Sequence, residues 1–385
     1  MECSDKILPG KMEQIPCMES QINAAWRLHS LDVLRGLAIT WIILFHMIFL
    51  TIPNMAPPQF LDKLLKTGGM GVQLFFVVSA FSLCLSSDRR QNEESWIFYL
   101  RRIFRIVPLF YLILIMTLLR DKLVFGLSHS YSEIVVNALF LYNFVGGWQV
   151  GIVMASWVIG VIMVFYFLYP YIYRKCSNTL ESIYRTMLLC TLCVIAYSVI
   201  SSFDGGINFW QWSFFRHLPS FLVGILCYSV FKNMRENNQK VSNYILGRVT
   251  LSVALFLGIA LLYSDQQFLL ISTLYWQSII FALLVLGSSL GVARAFFSLP
   301  VLCWIGKISY STYLVHPLVI VALQPIYKII AAKISGSLSF LLCASLTLIC
   351  VYFISYLLWR IIEKPGINMG ERVIARLRRL QNLAP

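Results

Sequence analysis

The chain has 385 residues, 59% hydrophobic and only 12% charged, with a mean hydropathy of +0.76 and a formal net charge of +14. This make-up excludes a soluble domain of ordinary composition and describes one polytopic membrane domain. The positive charge does not point to nucleic acid, because the basic residues sit between apolar runs.

In chain order, residues 1–30 are polar, lack a cleavable signal pattern and are expected to form a cytoplasmic tail. Leu31–Leu50 is apolar enough to cross a bilayer yet carries Asp32, Arg35 and His46. Ionisable groups inside a membrane are costly and mark function. Arg35 and His46 stand eleven positions apart, so on a helix they come within roughly 20° of each other on one face, about 16 Å apart along the axis. One helix thus aims a cation near its start and a deeper imidazole the same way. Residues 53–70, with three prolines and the Gly68-Gly69 pair, read as an outer loop. A second span, 71–87, has Gln73 and Ser79 as its polar members, and Ser79 with Ala80 suits close helix packing.

The connection that follows holds Arg89, Arg90, Arg101, Arg102 and Arg105 ahead of Pro108, with Trp96, Ile97, Phe98 and Tyr99 between the two basic groups. That pattern suits an amphipathic segment on the membrane surface. Two readings of the arginines stay open. They attract anionic lipid, or the planar forks of Arg102 and Arg105, one turn apart, hold the phosphates of a cytosolic ligand.

Further spans are predicted at 106–119, 150–173, 186–203, 213–231, 247–264, 268–290, 301–324 and 337–360, which with 32–52 and 71–87 makes about ten in an all-α transmembrane bundle. The apolar piece 134–148 reads as an outer re-entrant or interfacial segment, since a further span there would place Arg174 and Lys175 outside. About 22 Lys and Arg then lie on one side and six on the other, which predicts N-in and C-in. Arg216 and His217 fall just inside the outer boundary of 213–231, where ionisable groups are unusual anchors. Lys307 is close enough to the surface to snorkel. His316 is either a packed histidine donating to a carbonyl freed by Pro317 or part of a site. Cys190 and Cys193 lie among Leu, Val and Ile and read as apolar fillers, and no metal site is expected. Residues 364–385, with Arg372, Arg376, Arg378 and Arg379, read as a basic cytoplasmic tail, solvated or facing lipid.

Together these stretches resemble the acyltransferase-3 family of integral membrane acyltransferases. The resemblance rests on Leu31-Asp32-x-x-Arg35-Gly36-x-Ala38 with His46 beyond it, Gly71-Val72-x-Leu74-Phe75-Phe76-Val77-x-Ser79 and Arg102-x-x-Arg105-Ile106-x-Pro108-x-x-Tyr111. It continues through Trp157 with Phe165-Tyr166-x-Leu168-Tyr169-Pro170, then Gly306-Lys307-x-Ser309-Tyr310-x-x-Tyr313-Leu314-x-His316-Pro317 and Glu363-x-Pro365, in order over residues 31–363. It implies transfer of an acetyl or other acyl group from coenzyme A to a hydroxyl of an envelope carbohydrate such as O-antigen, capsule or exopolysaccharide, in the bacterial inner membrane. Carried over position by position, it implies His46 and Arg35 as the essential pair and Arg102 and Arg105 as an arginine pair near the donor. Three positions depart from it: Ile162 stands where a Glu is usual after the tryptophan, Gln73 where an Asp is usual and Ala80 where a Gly is usual.

The mechanism this predicts places coenzyme A phosphates on Arg101, Arg102 and Arg105, with the pantetheine arm running past Arg35 toward His46. A neutral His46 takes a proton from the acceptor hydroxyl, or carries the acyl group itself. Trp157, Arg216, His217 and His316 are the candidates for acceptor binding. Two alternatives remain: a catalytically degenerate family member, because Ile162 removes a carboxylate, and a transporter of an acyl or envelope intermediate, although no internal inverted repeat is evident.

Overall fold

In a medium without water an apolar run must satisfy its own backbone, and a helix is the only open structure that does so. The computed structural model describes residues 28–52, 55–90, 93–176, 178–203, 206–237, 240–263 and 273–381. Most of the expected N-terminal tail, residues 268–272 of the eighth predicted span and residues 382–385 lie outside the described residues. Among those described there are helices and turns and no strand.

The chain begins with α1 (His29–Leu50), α2 (Gln59–Lys66), α3 (Gly71–Arg89), α4 (Ser95–Val124) and α5 (Tyr131–Ala138). It continues with α6 (Trp157–Lys175), α7 (Thr179–Ile200), α8 (Gly206–Trp212), α9 (Phe214–Glu236), α10 (Lys240–Tyr263) and α11 (Thr273–Ser289). Next come α12 (Pro300–Lys307), α13 (Ser309–Ala322), α14 (Gln324–Lys333), α15 (Ser337–Leu358), a π-turn over Trp359–Glu363, and α16 (Lys364–Gln381). Among the described residues, eight helical stretches are long and apolar enough to cross a membrane, or nine if α13 and α14, bent by 56° at their junction, count as one span. The 17-residue α11 is a shorter apolar helix.

α1 sits at the centre, with Leu34, Ile39, Ile42 and Ile43 fully enclosed. Its closest neighbour is α12: a Cβ on Gly306 would lie 1.8 Å from the Asp32 carbonyl oxygen, so only glycine permits this approach. α3 and α9 meet similarly, with a Cβ on Gly224 placed 2.8 Å from the Cβ of Ala80. Where the resemblance leads one to expect glycine at 80, the small partner is therefore Gly224. At the end where α1 begins, here termed the basic end, Asp88 of α3 accepts from Tyr228 (2.7 Å) and from Tyr173, and pairs with Lys232 (2.8 Å), tying α3, α6 and α9 together.

Several boundaries differ from the sequence reading. The surface segment expected before Pro108 is instead the first three turns of α4, a single 30-residue helix. Proline has no N–H for the Phe104 carbonyl four residues back, and Gly366 of α16 packs against that carbonyl, so the interruption is covered rather than helix-ending. The predicted span 301–324 is broken into α12, α13 and the start of α14. Residues 150–156 precede α6 rather than belong to it, and the outer loop 53–70 contains α2, held to α1 where Trp41 Nε1 donates to Leu64 O (2.6 Å). The basic tail forms a helix, and α16 docks on α4 and the turn before it: Arg101 pairs with Glu371 (2.7 Å), and Arg378 with Glu93 (3.5 Å).

Residues 131–156 do not cross the bundle. Irregular backbone at this depth needs internal partners, and three buried amides supply them. Asn137 donates to Glu133 O (3.0 Å) and accepts from Ile152 N (2.9 Å), Asn143 bridges Trp212 O and Phe214 N (2.8 Å each), and Gln149 donates to Phe209 O (2.8 Å). Gly151 turns the chain at φ +80°. Residues 134–148, read as an outer re-entrant or interfacial segment, form none of the candidate spans among the described residues.

Candidate functional site

The basic ends of α1, α3 and α4 and the first half of α6, together with α13 and α16, surround a cavity of about 340 Å³. Five arginines line it: Arg35, Arg90, Arg101, Arg102 and Arg105. They are not equivalent. Arg35 donates to Ser82 Oγ (2.6 Å) and pairs with Asp32 at 3.3 Å, one helical turn before it. Arg101 is held between Glu93 and Glu371. Arg105 faces Glu363 at 3.9 Å, and that buried carboxylate accepts from Ser311 Oγ at 2.6 Å. Arg102 has no carboxylate partner among the described residues. Its guanidinium rests on the rings of Phe98 (5.4 Å) and Tyr166 (5.5 Å), and its Nε is buried without a hydrogen bond.

Toward the interior the lining becomes apolar, with Phe75, Val158, Ile159 and Ile162. Ser79, Ser82 and Ser86 run along the α3 side, at positions i, i+3 and i+7 of one helix face. The inner end closes on Tyr313, whose hydroxyl donates to Ala155 O (2.8 Å) and whose ring lies 6.4 Å from that of Phe75. Immediately behind it is His316, ring centroid 5.6 Å away, and His316 Nε2 lies 3.1 Å from His46 Nδ1. His316 is fully buried and His46 partly exposed.

The structure thus brings Arg35, Arg101, Arg102 and Arg105 to one cavity and His46 to His316 beyond its inner end. The continuous seam expected from Arg35 to His46 is interrupted by Phe75 and Tyr313. Of the other candidates, His217 packs against Trp157 (5.0 Å between rings) and Phe76 (5.5 Å), and neither ring nitrogen has a hydrogen-bond partner. Arg216 points elsewhere, its Nη1 at 3.5 Å from Gln211 O. Sequence reasoning missed Ser82, Glu371 and the pairing of Glu363 with Arg105. A carboxylate at 363, directly following an apolar run, was a usable signal; Ser82 and Glu371 gave none.

Residues 28–359 match the acyltransferase-3 family, described as an acyltransferase domain. The chain belongs to this family. Proteins of Staphylococcus aureus strains COL, MSSA476 and MRSA252, each named "Putative O-acetyltransferase", are 24% identical over 318 residues, which is 74% of this chain and 49% of theirs. The chain therefore spans about half the length of the curated relatives it matches. No solved structure matches it. Ile162, where the resemblance leads one to expect a Glu, stands in the cavity wall beside Val158 and Ile159, so that wall is apolar here.

Proposed function

We propose that this acyltransferase transfers an acetyl or related acyl group from acetyl-CoA to a hydroxyl of a cell-envelope carbohydrate, free or lipid-linked, in the bacterial inner membrane. Adding the bent pair α13–α14 and the short α11 to the eight spans gives ten crossings, and the excess of Lys and Arg on one side supports both chain ends on the cytoplasmic side. In this orientation the basic end faces the cytosol, where coenzyme A is present.

The observation that carries the proposal is the arginine-lined cavity with Arg102 unpaired at its wall. Buried cations without counter-ions are unfavourable, and a polyanion with several phosphates answers that need. The donor's phosphates lie on Arg102, Arg105 and Arg90, while Arg101 holds α16 at the mouth. The acyl-bearing arm passes Arg35 toward Tyr313. The acceptor approaches His46 from the far end, and His46 takes the hydroxyl proton as the oxygen attacks the thioester carbonyl. The ring of Trp157 beside the unsatisfied His217 offers the acceptor a stacking surface and a hydrogen-bonding group.

The test is transfer from labelled acetyl-CoA to envelope carbohydrate in membranes containing the wild type, His46→Ala or Arg35→Ala at equal abundance. Label in polysaccharide that disappears in both variants is expected. A second reading, a degenerate member without transferase activity, is favoured by Ile162 lining the cavity; it predicts coenzyme A binding with no label transferred. If neither binding nor transfer is detected, the donor assignment fails.

A further inference from the structure

The two histidines at the inner end fix each other's protons. Pro317 has no N–H, so the Tyr313 carbonyl four residues earlier lacks its helical partner. His316, adjacent to the proline, fills the gap: its Nδ1 lies 2.8 Å from Tyr313 O. A lone pair there would face the carbonyl's lone pairs, so Nδ1 carries the hydrogen and the neutral ring keeps its lone pair on Nε2. That Nε2 lies 3.1 Å from His46 Nδ1, which is also 3.0 Å from Ile42 O. Facing two acceptors, His46 Nδ1 carries a hydrogen too. The lone pair of His46 is then on Nε2, the nitrogen turned away from both.

We infer that His316 is the positioning residue that holds His46 in its Nδ1–H tautomer, so that Nε2 is the base offered to the acceptor hydroxyl. This rests on the acyl-transfer reading and adds the identity of the basic nitrogen. It also removes His316 from acceptor binding, since a fully buried ring with both nitrogens engaged has nothing to offer a substrate. During transfer the hydroxyl proton moves to His46 Nε2 while the hydroxyl oxygen bonds to the thioester carbonyl carbon. The C–S bond then breaks, and the departing thiolate takes that proton back from Nε2. The transient imidazolium keeps its Nδ1–H on His316 Nε2 throughout, so no net proton reaches His316.

The test compares His316→Leu with His316→Gln. The glutamine oxygen can occupy the place of Nε2 and accept from His46 Nδ1, whereas leucine fills the space without an acceptor. Losing a tautomer-fixing partner costs about 10⁴-fold in a hydrolytic triad, and His316→Leu is expected to lower kcat by about 10²-fold or more with the KM for acetyl-CoA unchanged. His316→Gln should recover to within about tenfold of wild type. A packing role predicts the reverse order, with leucine the better variant, and an acceptor-binding role predicts a raised acceptor KM; either result overturns the inference. A second readout does not need activity. In protein labelled with ¹⁵N-histidine, with the His46 signals assigned by their loss in His46→Gln, Nδ1 should be the protonated nitrogen, and His316→Leu should shift the ring toward Nε2–H. A His46 protonated on Nε2 in the wild type refutes the assignment even if transfer proceeds, while correct tautomers without transfer would count against the acyltransferase reading alone.

Discussion

Replacing Arg102 with methionine keeps part of the aliphatic stem but removes the guanidinium that rests on Phe98 and Tyr166. In the free protein the loss and the gain nearly cancel. Two cation–π contacts contribute about 0.5–1 kcal/mol each at partly exposed sites, and the buried Nε–H that bonds nothing costs about 1–3 kcal/mol. Thermal stability should therefore change little, between a loss of about 1 kcal/mol and a gain of about 2 kcal/mol. Donor binding should not be spared. A hydrogen bond to a charged group contributes about 1.5–3 kcal/mol, so the Kd for coenzyme A should rise by about 10- to 150-fold. Arg101→Met is the opposite control. It leaves Glu93 and Glu371 without their shared cation and releases α16, so it should lower stability more than Arg102→Met and raise the Kd less. Calorimetric titration with coenzyme A and thermal unfolding in detergent measure both quantities on the same preparations. If Arg102→Met binds coenzyme A within twofold of wild type, or loses binding only in proportion to lost stability, the reasoning that an unpaired arginine marks the donor site is refuted.

Three other outcomes follow from named contacts. Glu363→Gln keeps an acceptor for Ser311 but removes the charge 3.9 Å from Arg105, so coenzyme A should bind about two- to fivefold tighter, the equivalent of under about 1 kcal/mol; weaker binding would count against Arg105 as a phosphate ligand. Gly306→Ala forces a Cβ to 1.8 Å from the Asp32 carbonyl oxygen, a clash that only backbone movement relieves, and it should cost about 3 kcal/mol or more, read as lost abundance of folded protein. In the connection before α5, burial disfavours the His129 cation, but the carboxylates of Asp121 (3.0 Å) and Glu133 (3.1 Å) outweigh it and raise its pKa above the ordinary value. A pKa raised by folding gives stabilisation that is full below about pH 6.5 and lost as pH rises through the folded value, so hydrogen exchange in 125–137 should quicken over that rise, and His129→Gln should abolish the dependence.

Helix existence was legible wherever one apolar run stood alone: Leu31–Leu50 is α1 to within two residues at its start. Pro108 misled one boundary, because it lies inside a helix and Gly366 packs on the carbonyl it frees, while the break at Ile308 falls in an apolar run without a proline. In the site, the face shared by Arg35 and His46 followed from periodicity, and Pro317 announced the carbonyl that His316 takes. Their partners did not follow, because His46 and His316 are 270 positions apart, as are Arg101 and Glu371. A basic residue next to an unseen carboxylate reads like any other basic residue, which is why Arg101 and Arg102 looked alike in sequence and differ in the structure.

On the proposed acyl-transfer reading, the interruption between cavity and histidines bears on how water would be kept from a thioester donor. An acyl donor held beside open solvent and an unoccupied base would be hydrolysed, so a site of this kind gains from keeping the two apart until both substrates are present. Phe75 and Tyr313 stand in that place, and joining the two halves requires Tyr313 to leave the Ala155 carbonyl. Ala155 is itself held at φ +65° at the end of the re-entrant segment. Non-glycine residues adopt that conformation only where their surroundings impose it, and the Tyr313 hydroxyl on the Ala155 carbonyl is the contact that holds it here. The irregular backbone of 131–156 thus has a part in the site: it carries the acceptor for the Tyr313 hydroxyl.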